Sequence, residues 1–209
     1  KIGILTFVAN VDHGVFNYTK SLIDALKKDC TNKYILFCNE NDDRFDSYDL
    51  EIRTICKSKS NLFKKVVTLI QFIFLIRKPY LLTKDEIDLF NDIKFFISPA
   101  VSAYPHFFVN KPFVFTLHDM QEKYYPHYFT LYERFTRWVI NKTLAKCAHR
   151  IICESEYVKK DITNFTDTIP EKVVIIQSPP PDNLVNFLFN KYKYIKIKKK
   201  YKLPDNYLI

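Results

Sequence analysis

The chain has 209 residues, 47% of them apolar and 16% aromatic, and a formal net charge of +9. That length and composition can bury a core of domain size, while five cysteines without CxxC spacing predict neither a disulfide framework nor a zinc site. Seven lysines between positions 191 and 202 carry most of the charge, and the near balance of residues 1–190 argues against a basic groove for nucleic acid.

Strand and helix patterns alternate from the first residue. Residues 1–8 form a continuous apolar run, which is typical of a central parallel strand covered on both faces. From Val15 the apolar residues follow helical spacing, and a long helix with an apolar stripe is predicted over residues 128–148. Further strands are predicted at 33–38, 50–56, 94–97, 112–117, 150–153 and 172–176, and a further helix at 156–164. This order predicts an α/β fold with a doubly wound, mostly parallel, Rossmann-like sheet.

The uncharged run at residues 66–76 has two readings. Lys64 and Lys65 precede it, and Arg77 and Lys78 follow it. It is well short of the roughly 20 residues that a membrane-spanning helix needs. It is therefore either a helix buried against the sheet or an interfacial helix that rests on a membrane with its lysines at headgroup level.

Three loops at the carboxyl edge of the predicted sheet carry polar residues, and this edge is where open α/β sheets bind ligands. In the first loop, Gly14 stands at the start of a helix, either to bring backbone N–H groups to an anion or to form a plain turn. In the second loop, His118 and Asp119 follow a strand, and His118 is either a ligand contact or a histidine satisfied by local backbone. In the third, Ser155 is placed to cap a helix and is also a candidate ligand contact.

The end of the chain suggests a domain boundary. Three prolines at 179–181 close the last predicted strand, and the lysine-rich stretch follows. Residues 206–209 read as the opening of another strand. We therefore expect a Rossmann-like domain over 1–180, and over 181–209 a linker, a lysine-rich segment and the start of a further domain.

Four segments together resemble glycosyltransferase family 4, the retaining enzymes of GT-B architecture with two facing Rossmann-like domains. They are residues 2–17, residues 112–119 with 125–129, residues 145–161 and residues 172–179. The third segment, AKCAHRIICESEYVKKD, is the most specific. The resemblance implies that this chain is the N-terminal, acceptor-side half of such an enzyme.

The resemblance implies that the whole enzyme moves a hexose from a nucleotide-sugar to a glycan or lipid-linked acceptor, as in polysaccharide or lipopolysaccharide synthesis. His118 would face the transferred sugar as the catalytic residue, and no metal or other cofactor is expected. The nucleotide-sugar would be held by a C-terminal donor domain, so that this chain alone would be inactive. Substrate contacts are expected from His13, Gly14, Val15, Asp119, Ser155 and Glu156.

A second hypothesis is a non-catalytic Rossmann-like partner that docks on a membrane or on a separate donor-binding chain. The run at 66–76 and the lysines at 191–202 motivate it. Both hypotheses predict a cytoplasmic protein that associates with an anionic membrane surface, at the inner face of the plasma membrane. Neither predicts a nucleic-acid partner.

Overall fold

The computed structural model describes residues 1–7, 14–40, 42–55, 62–80, 82–108, 111–178 and 200. Contacts divide the chain into two compact units, Lys1–Gln177 and Ser178–Ile209. Apart from Ser178 and Lys200, the described residues all belong to the first unit, to which every element below belongs. The expected contact residue His13 lies outside the described residues, as does the lysine-rich segment except for Lys200.

Within the described residues, seven strands form one parallel sheet in the order β3-β2-β1-β4-β5-β6-β7. The pairing is continuous, from β2 on β3 at one edge to β6 on β7 at the other. The prediction of a doubly wound α/β sheet is confirmed. The strands are β1 (Ile2–Leu5), β2 (Tyr34–Asn39), β3 (Glu51–Ile55), β4 (Phe95–Ser98), β5 (Phe113–Thr116), β6 (Arg150–Cys153) and β7 (Val173–Ile175).

Helices connect the strands and cover both faces of the sheet. Three of them differ from the sequence prediction, and one of these, the four-residue helix α4 (Gln121–Tyr124), was not predicted at all. The short helix α3 was also not predicted, although Thr83 and Glu86 form a capping box at its start. The long helix α5 begins at Leu131 rather than near 128, because Thr130 accepts a hydrogen bond from the backbone N–H of Glu133 and caps it. The helices are α1 (Gly14–Leu26), α2 (Leu62–Ile73), α3 (Lys84–Leu89), α4 (Gln121–Tyr124), α5 (Leu131–Cys147) and α6 (Glu156–Thr166).

Aromatic packing holds the centre of the sheet. Phe37 on β2 and Phe96 on β4 flank β1, and the ring of Phe90 stacks on Phe37 with centroids 4.5 Å apart. Gly3 on β1 makes room for them, since a Cβ atom there would lie 2.8 Å from Phe37 Cε2 and 3.0 Å from Phe96 Cδ1. On the other face, α1 packs Phe16 and Ile23 into a second cluster.

Helices α2 and α5 pack against each other but leave apolar residues in solvent. Only Gln71 and Phe72 of α2 are buried, and the Phe72 carbonyl oxygen accepts a hydrogen bond from Thr143 of α5 at 3.0 Å. Much of the 66–76 run is therefore not core. The stripe predicted for the long helix is also mostly exposed, with Val139 its one buried member. No helix among the described residues is long and apolar enough to span a bilayer.

Candidate functional site

The order of the strands creates a switch point between β1 and β4. From β1 the chain winds outward through β2 to β3, and from β4 it winds the other way through β5 and β6 to β7. At such a switch point, an open α/β sheet forms its ligand-binding crevice at the carboxyl ends of the strands. Ligands of open α/β sheets bind in such crevices, so the side chains at this edge define the candidate site.

His118 is held firmly at this edge. The backbone N–H of Leu117 donates a 2.9 Å hydrogen bond to the Ile152 carbonyl oxygen, which extends the pairing of β5 with β6 beyond the last strand residue. The Nε2 atom of His118 lies 2.9 Å from the Pro99 carbonyl oxygen, just after β4. A carbonyl oxygen only accepts, so Nε2 is the donor and carries the hydrogen. The imidazole thus ties the end of β5 to the end of β4.

The second ring nitrogen of His118 faces a carboxylate. Its Nδ1 atom lies 3.5 Å from Oε2 of Glu154, directly after β6. The side chains keep 19% and 31% of their surface exposed, so a ligand can reach both. When Nδ1 also carries a proton, the imidazolium forms an ion pair with Glu154; when it does not, Nδ1 is an acceptor. The pair can therefore exchange a proton with a ligand or stabilise charge on it.

Tyr18 supports the imidazole from α1. Its ring meets the His118 ring edge to face, with centroids 4.9 Å apart and planes at 84°. Its hydroxyl shares a buried 3.0 Å hydrogen bond with Oγ1 of Thr116, the last residue of β5. Burial raises the pKa of Tyr18, the bond with Thr116 acts against this, and the negative charge of Glu154 adds to it. Tyr18 is therefore a neutral, rigid support behind His118.

Gly14 and Val15 open α1, one turn before Tyr18. Gly14 is exposed, its φ is not positive, and no described atom lies within 4 Å of where its Cβ would be. The backbone conformation thus does not demand glycine at this position. The Val15 carbonyl oxygen is already bonded to Oγ1 of Thr19 at 2.8 Å. Backbone N–H groups at this helix start have the orientation that suits an anion.

Other expected contact residues have local structural roles. Ser155 is the N-cap of α6, and its Oγ accepts a 3.2 Å hydrogen bond from the Val158 backbone N–H. Glu156 is exposed in the first turn of that helix, where a carboxylate complements the helix dipole. Asp119 is exposed, and its Oδ1 accepts a long 3.4 Å bond from the backbone N–H of Gln121. All three border the edge, but none is brought against His118 as closely as Tyr18 and Glu154 are.

Sequence reasoning missed Tyr18 and Glu154. Tyr18 fits the apolar spacing of α1 and was interpreted as a core residue, which its burial also satisfies. Its partner Thr116 is 98 residues away, so no local signal joins them. Glu154 stands between Cys153 and Ser155 in a loop that was singled out for its cap. Its position directly after a predicted strand was the one signal available.

Among the described residues, no group of three or more His, Cys, Asp or Glu side chains has the arrangement of a metal site. Four cysteines there are free thiols, and burial raises the pKa of Cys38, Cys147 and Cys153. A raised pKa disfavours the thiolate, so the buried Cys38 and Cys153 and the half-buried Cys147 are expected to be unreactive.

Known structures share this architecture. Anabaena Alr3699/HepE, solved in complex with UDP, matches with a TM-score of 0.61 and 12% identity over 97% of this chain and 50% of its own. A glycosyltransferase from Rickettsia africae ESF-5 gives 0.54 and 15% over 99% and 51%. The wall teichoic acid polymerase TagF gives 0.51 and 11% over 98% and 45%. The chain thus spans about half the length of these proteins.

The sequence itself carries a family signature. A search of curated protein sequences finds no significant match. The family model described as Glycosyltransferase Family 4, however, matches residues 13–179, which contain the helix start at Gly14, His118 and Glu154. The chain therefore belongs to glycosyltransferase family 4, and its parallel sheet is the Rossmann-like α/β fold of the GT-B glycosyltransferases.

Proposed function

We propose that this chain is the acceptor-side half of a retaining glycosyltransferase that moves a hexose from a nucleotide-sugar to a glycan or lipid-linked glycan. The observation that carries the proposal is His118 at the switch point, tied to Pro99 through Nε2 and turned toward Glu154 through Nδ1. A histidine fixed by two strand ends and a buried tyrosine is preorganised, which suits a group that stabilises developing charge.

In the proposed reaction the acceptor hydroxyl oxygen bonds to the anomeric carbon on the face from which the donor phosphate leaves, and the hydroxyl proton passes to that phosphate. His118 would lie at the sugar, where Nδ1, beside Glu154, accepts a hydrogen bond from a sugar hydroxyl or, when it carries a proton, donates one to the departing phosphate. The start of α1 at Gly14 offers backbone N–H groups to an anion. Asp119, Ser155 and Glu156 would contact substrate only at the rim.

Donor binding is proposed to fall mainly to a second α/β domain of the whole protein. The first structural relative was solved with UDP, which supports a nucleotide-linked donor for this chain as well. Because catalysis then needs both domains, residues 1–209 alone would not turn over.

The acceptor is proposed to run past the tyrosines that follow His118. Tyr124, Tyr125 and Tyr128 are 46%, 54% and 76% exposed, and Tyr124 lies 5.9 Å, between ring centroids, from Tyr157, which is also exposed. Exposed aromatic rings of this kind offer flat apolar faces with a hydroxyl at the tip, which suits the mixed apolar and polar surface of a sugar ring.

The test is transfer by the full-length protein from a panel of nucleotide-sugars to glycan and lipid-linked acceptors. Proton NMR of the first product then gives its anomeric configuration. The proposal predicts transfer of a hexose with the configuration of the donor retained. An inverted product would contradict the retaining mechanism, and no transfer from any nucleotide-sugar would favour the non-catalytic partner instead.

A further inference from the structure

The solvent side of α2 is an apolar stripe. Leu62, Val66, Ile70 and Ile73 repeat at four, four and three residues, which places them along one face of the helix. They are 75%, 45%, 44% and 46% exposed. Phe63 and Phe74 border the same stripe and are 68% and 70% exposed. The helix thus has apolar residues on the side that faces away from the core as well as on the side that packs.

Helix α5 extends this stripe into a wider surface. A cavity of about 250 Å³ opens between the two helices, with apolar walls from Ile73, Leu75 and Trp138 and the lysines Lys142 and Lys146 beside them. Trp138 in turn lies 6.0 Å, between ring centroids, from the half-exposed Phe135. Together these exposed apolar residues form a surface that we call the α2–α5 face. It consists of Leu62, Phe63, Val66, Ile70, Ile73, Phe74, Leu75, Phe135 and Trp138.

One segment of the α2–α5 face, residues 62–80, carries only positive charges. Residues 62–80 contain Lys64, Lys65, Arg77 and Lys78 and no acidic residue. On α5, the Nζ atom of Lys142 lies 5.5 Å from the centre of the Trp138 ring, in a cation–π contact. Apolar side chains flanked by lysines and an amphipathic tryptophan are the composition of helices that lie in the headgroup region of a membrane.

We propose that the α2–α5 face docks on an anionic lipid bilayer, with α2 lying in the plane of the interface. Phe63 and Phe74 enter the acyl boundary, and the exposed Lys65 and Lys78 meet the lipid phosphates. Arg77 is turned inward and donates hydrogen bonds to the carbonyl oxygens of His106 and Phe108. The cavity beside Trp138 has apolar walls and the exposed ammonium group of Lys146 at its edge, while Lys142 is paired with Asp167 at 2.6 Å. This docking is independent of the transfer reaction, since the face lies on helices that do not carry His118.

A second copy of the chain suits this face less well. Docking α2 on α2 of a two-fold partner would bring the basic residues of both segments together without an acidic residue from 62–80 to balance them. Like charges placed opposite each other in an interface oppose association. An anionic bilayer instead satisfies the apolar stripe and its basic border together.

The experiment measures sedimentation of the full-length protein with vesicles of phosphatidylcholine alone and of phosphatidylcholine with phosphatidylglycerol. Binding is expected to the anionic vesicles and to weaken with salt. The double variant Phe63→Ser/Phe74→Ser should lower the partition coefficient at least about tenfold, because two phenylalanine side chains no longer leave water. The control is Val174→Ser, a 39% exposed strand residue next to Val173, which packs in the cluster on the opposite face of β7.

Thermal unfolding of each variant, read by circular dichroism, shows that the fold is kept, as expected for exposed positions. Several outcomes would overturn the proposal. They are no binding of the wild type to anionic vesicles, equal binding by the double variant, and equal loss of binding in Val174→Ser. Binding that survives the double variant but not salt would assign attachment to the lysines at 191–202 rather than to this face. A dimer that the double variant abolishes, without vesicle binding, would make the face a protein interface.

Discussion

The Nε2 atom of His118 donates a hydrogen bond to the Pro99 carbonyl oxygen at 2.9 Å, so one side chain links the ends of two neighbouring strands at the switch point of the sheet. The bond determines which ring nitrogen is left for chemistry. Because Nε2 is occupied by backbone, the nitrogen that can act on a ligand is Nδ1, which faces Glu154 at 3.5 Å. The reading of His118 as a histidine satisfied by backbone is met at Nε2, and the ligand contact stays a prediction for Nδ1.

Gly14→Ala should leave the fold intact and impair transfer. A Cβ at Gly14 meets no described atom within 4 Å, so the free energy of unfolding should change by less than about 1 kcal/mol. If the start of α1 receives a donor or acceptor group, the added methyl intrudes on it, and kcat/KM should fall about tenfold or more. Steady-state kinetics and urea unfolding of the same preparations give both values.

Gly3→Ala is the matched control, with the opposite pattern. Its Cβ would lie 2.8 Å from Phe37 Cε2, so overpacking should lower the free energy of unfolding by about 1–3 kcal/mol. The fraction of Gly3→Ala that remains folded should still transfer the sugar. Unimpaired transfer by Gly14→Ala would remove the start of α1 from the binding site.

Ser155→Ala should destabilise the protein by about 1 kcal/mol, because the Val158 backbone N–H loses its acceptor. Ser155→Asp also supplies a cap and should recover that stability. Thr130→Ala, which removes the cap of α5, should cost a similar amount without affecting transfer per folded molecule. Urea unfolding of each variant measures how much free energy of unfolding each capping residue contributes. If Ser155→Asp also recovers full transfer, Ser155 is a cap alone and has no part in substrate binding.

The variant Tyr18→Phe tests the role of the Tyr18 hydroxyl separately from that of the ring. The variant keeps the ring edge-to-face on His118 but loses the buried bond to Thr116, at a cost of about 1 kcal/mol in the free energy of unfolding. Because the imidazole stays supported, transfer should remain within a few-fold of wild type. A loss of transfer as large as that of His118→Ala would mean that the hydroxyl itself contacts substrate.

The stability of the fold should depend on His106 between about pH 6.5 and pH 4. His106 is fully buried, and burial lowers its pKa to about 4, with the positive charge of Arg77 adding to the effect. Between the unfolded value near 6.5 and the folded value, the unfolded chain binds the proton and the folded one does not. The free energy of unfolding therefore falls as the pH drops through this window, by on the order of 3 kcal/mol, and levels off below it.

His106→Phe should remove that slope, since phenylalanine does not titrate and can keep the ring contact with Phe72, whose centroid is 4.3 Å away. Urea unfolding at half-unit pH steps measures it. Four described carboxylates have a lowered pKa, Asp29, Glu51, Asp92 and Glu133, and their contribution to stability is lost only at lower pH, below about 4.5. An equal slope in wild type and variant between pH 6.5 and 4 would contradict the assignment to His106.

Much of the fold followed from the sequence because parallel strands buried on both faces are continuous apolar runs, and these runs alternate with helical spacing. Ser155, the N-cap residue, likewise predicted the start of α6. Periodicity does not say what covers a helix, however. The stripe of α5 was visible in the sequence, but its exposure depends on which neighbours pack on it, and that is a property of the whole fold.

The candidate site was predictable only in part, for a related reason. His118 directly follows a predicted strand, and topology alone brings it to the binding edge. Tyr18 and Glu154 reach it from α1 and from the end of β6, and contacts between elements so far apart in sequence leave no local pattern. Packing of the helices on the sheet creates that group of side chains.

The most direct test of the proposed role of His118 is the transfer rate of the His118→Ala variant of the full-length protein at saturating donor. The rate is compared with that of the wild type, after thermal unfolding has shown that the two proteins are equally stable. The account predicts that kcat falls by about 10²–10⁴-fold, because the residue that stabilises charge on the reacting sugar is lost. A kcat near that of wild type would show that His118 has no part in the reaction and would contradict the assignment of the site.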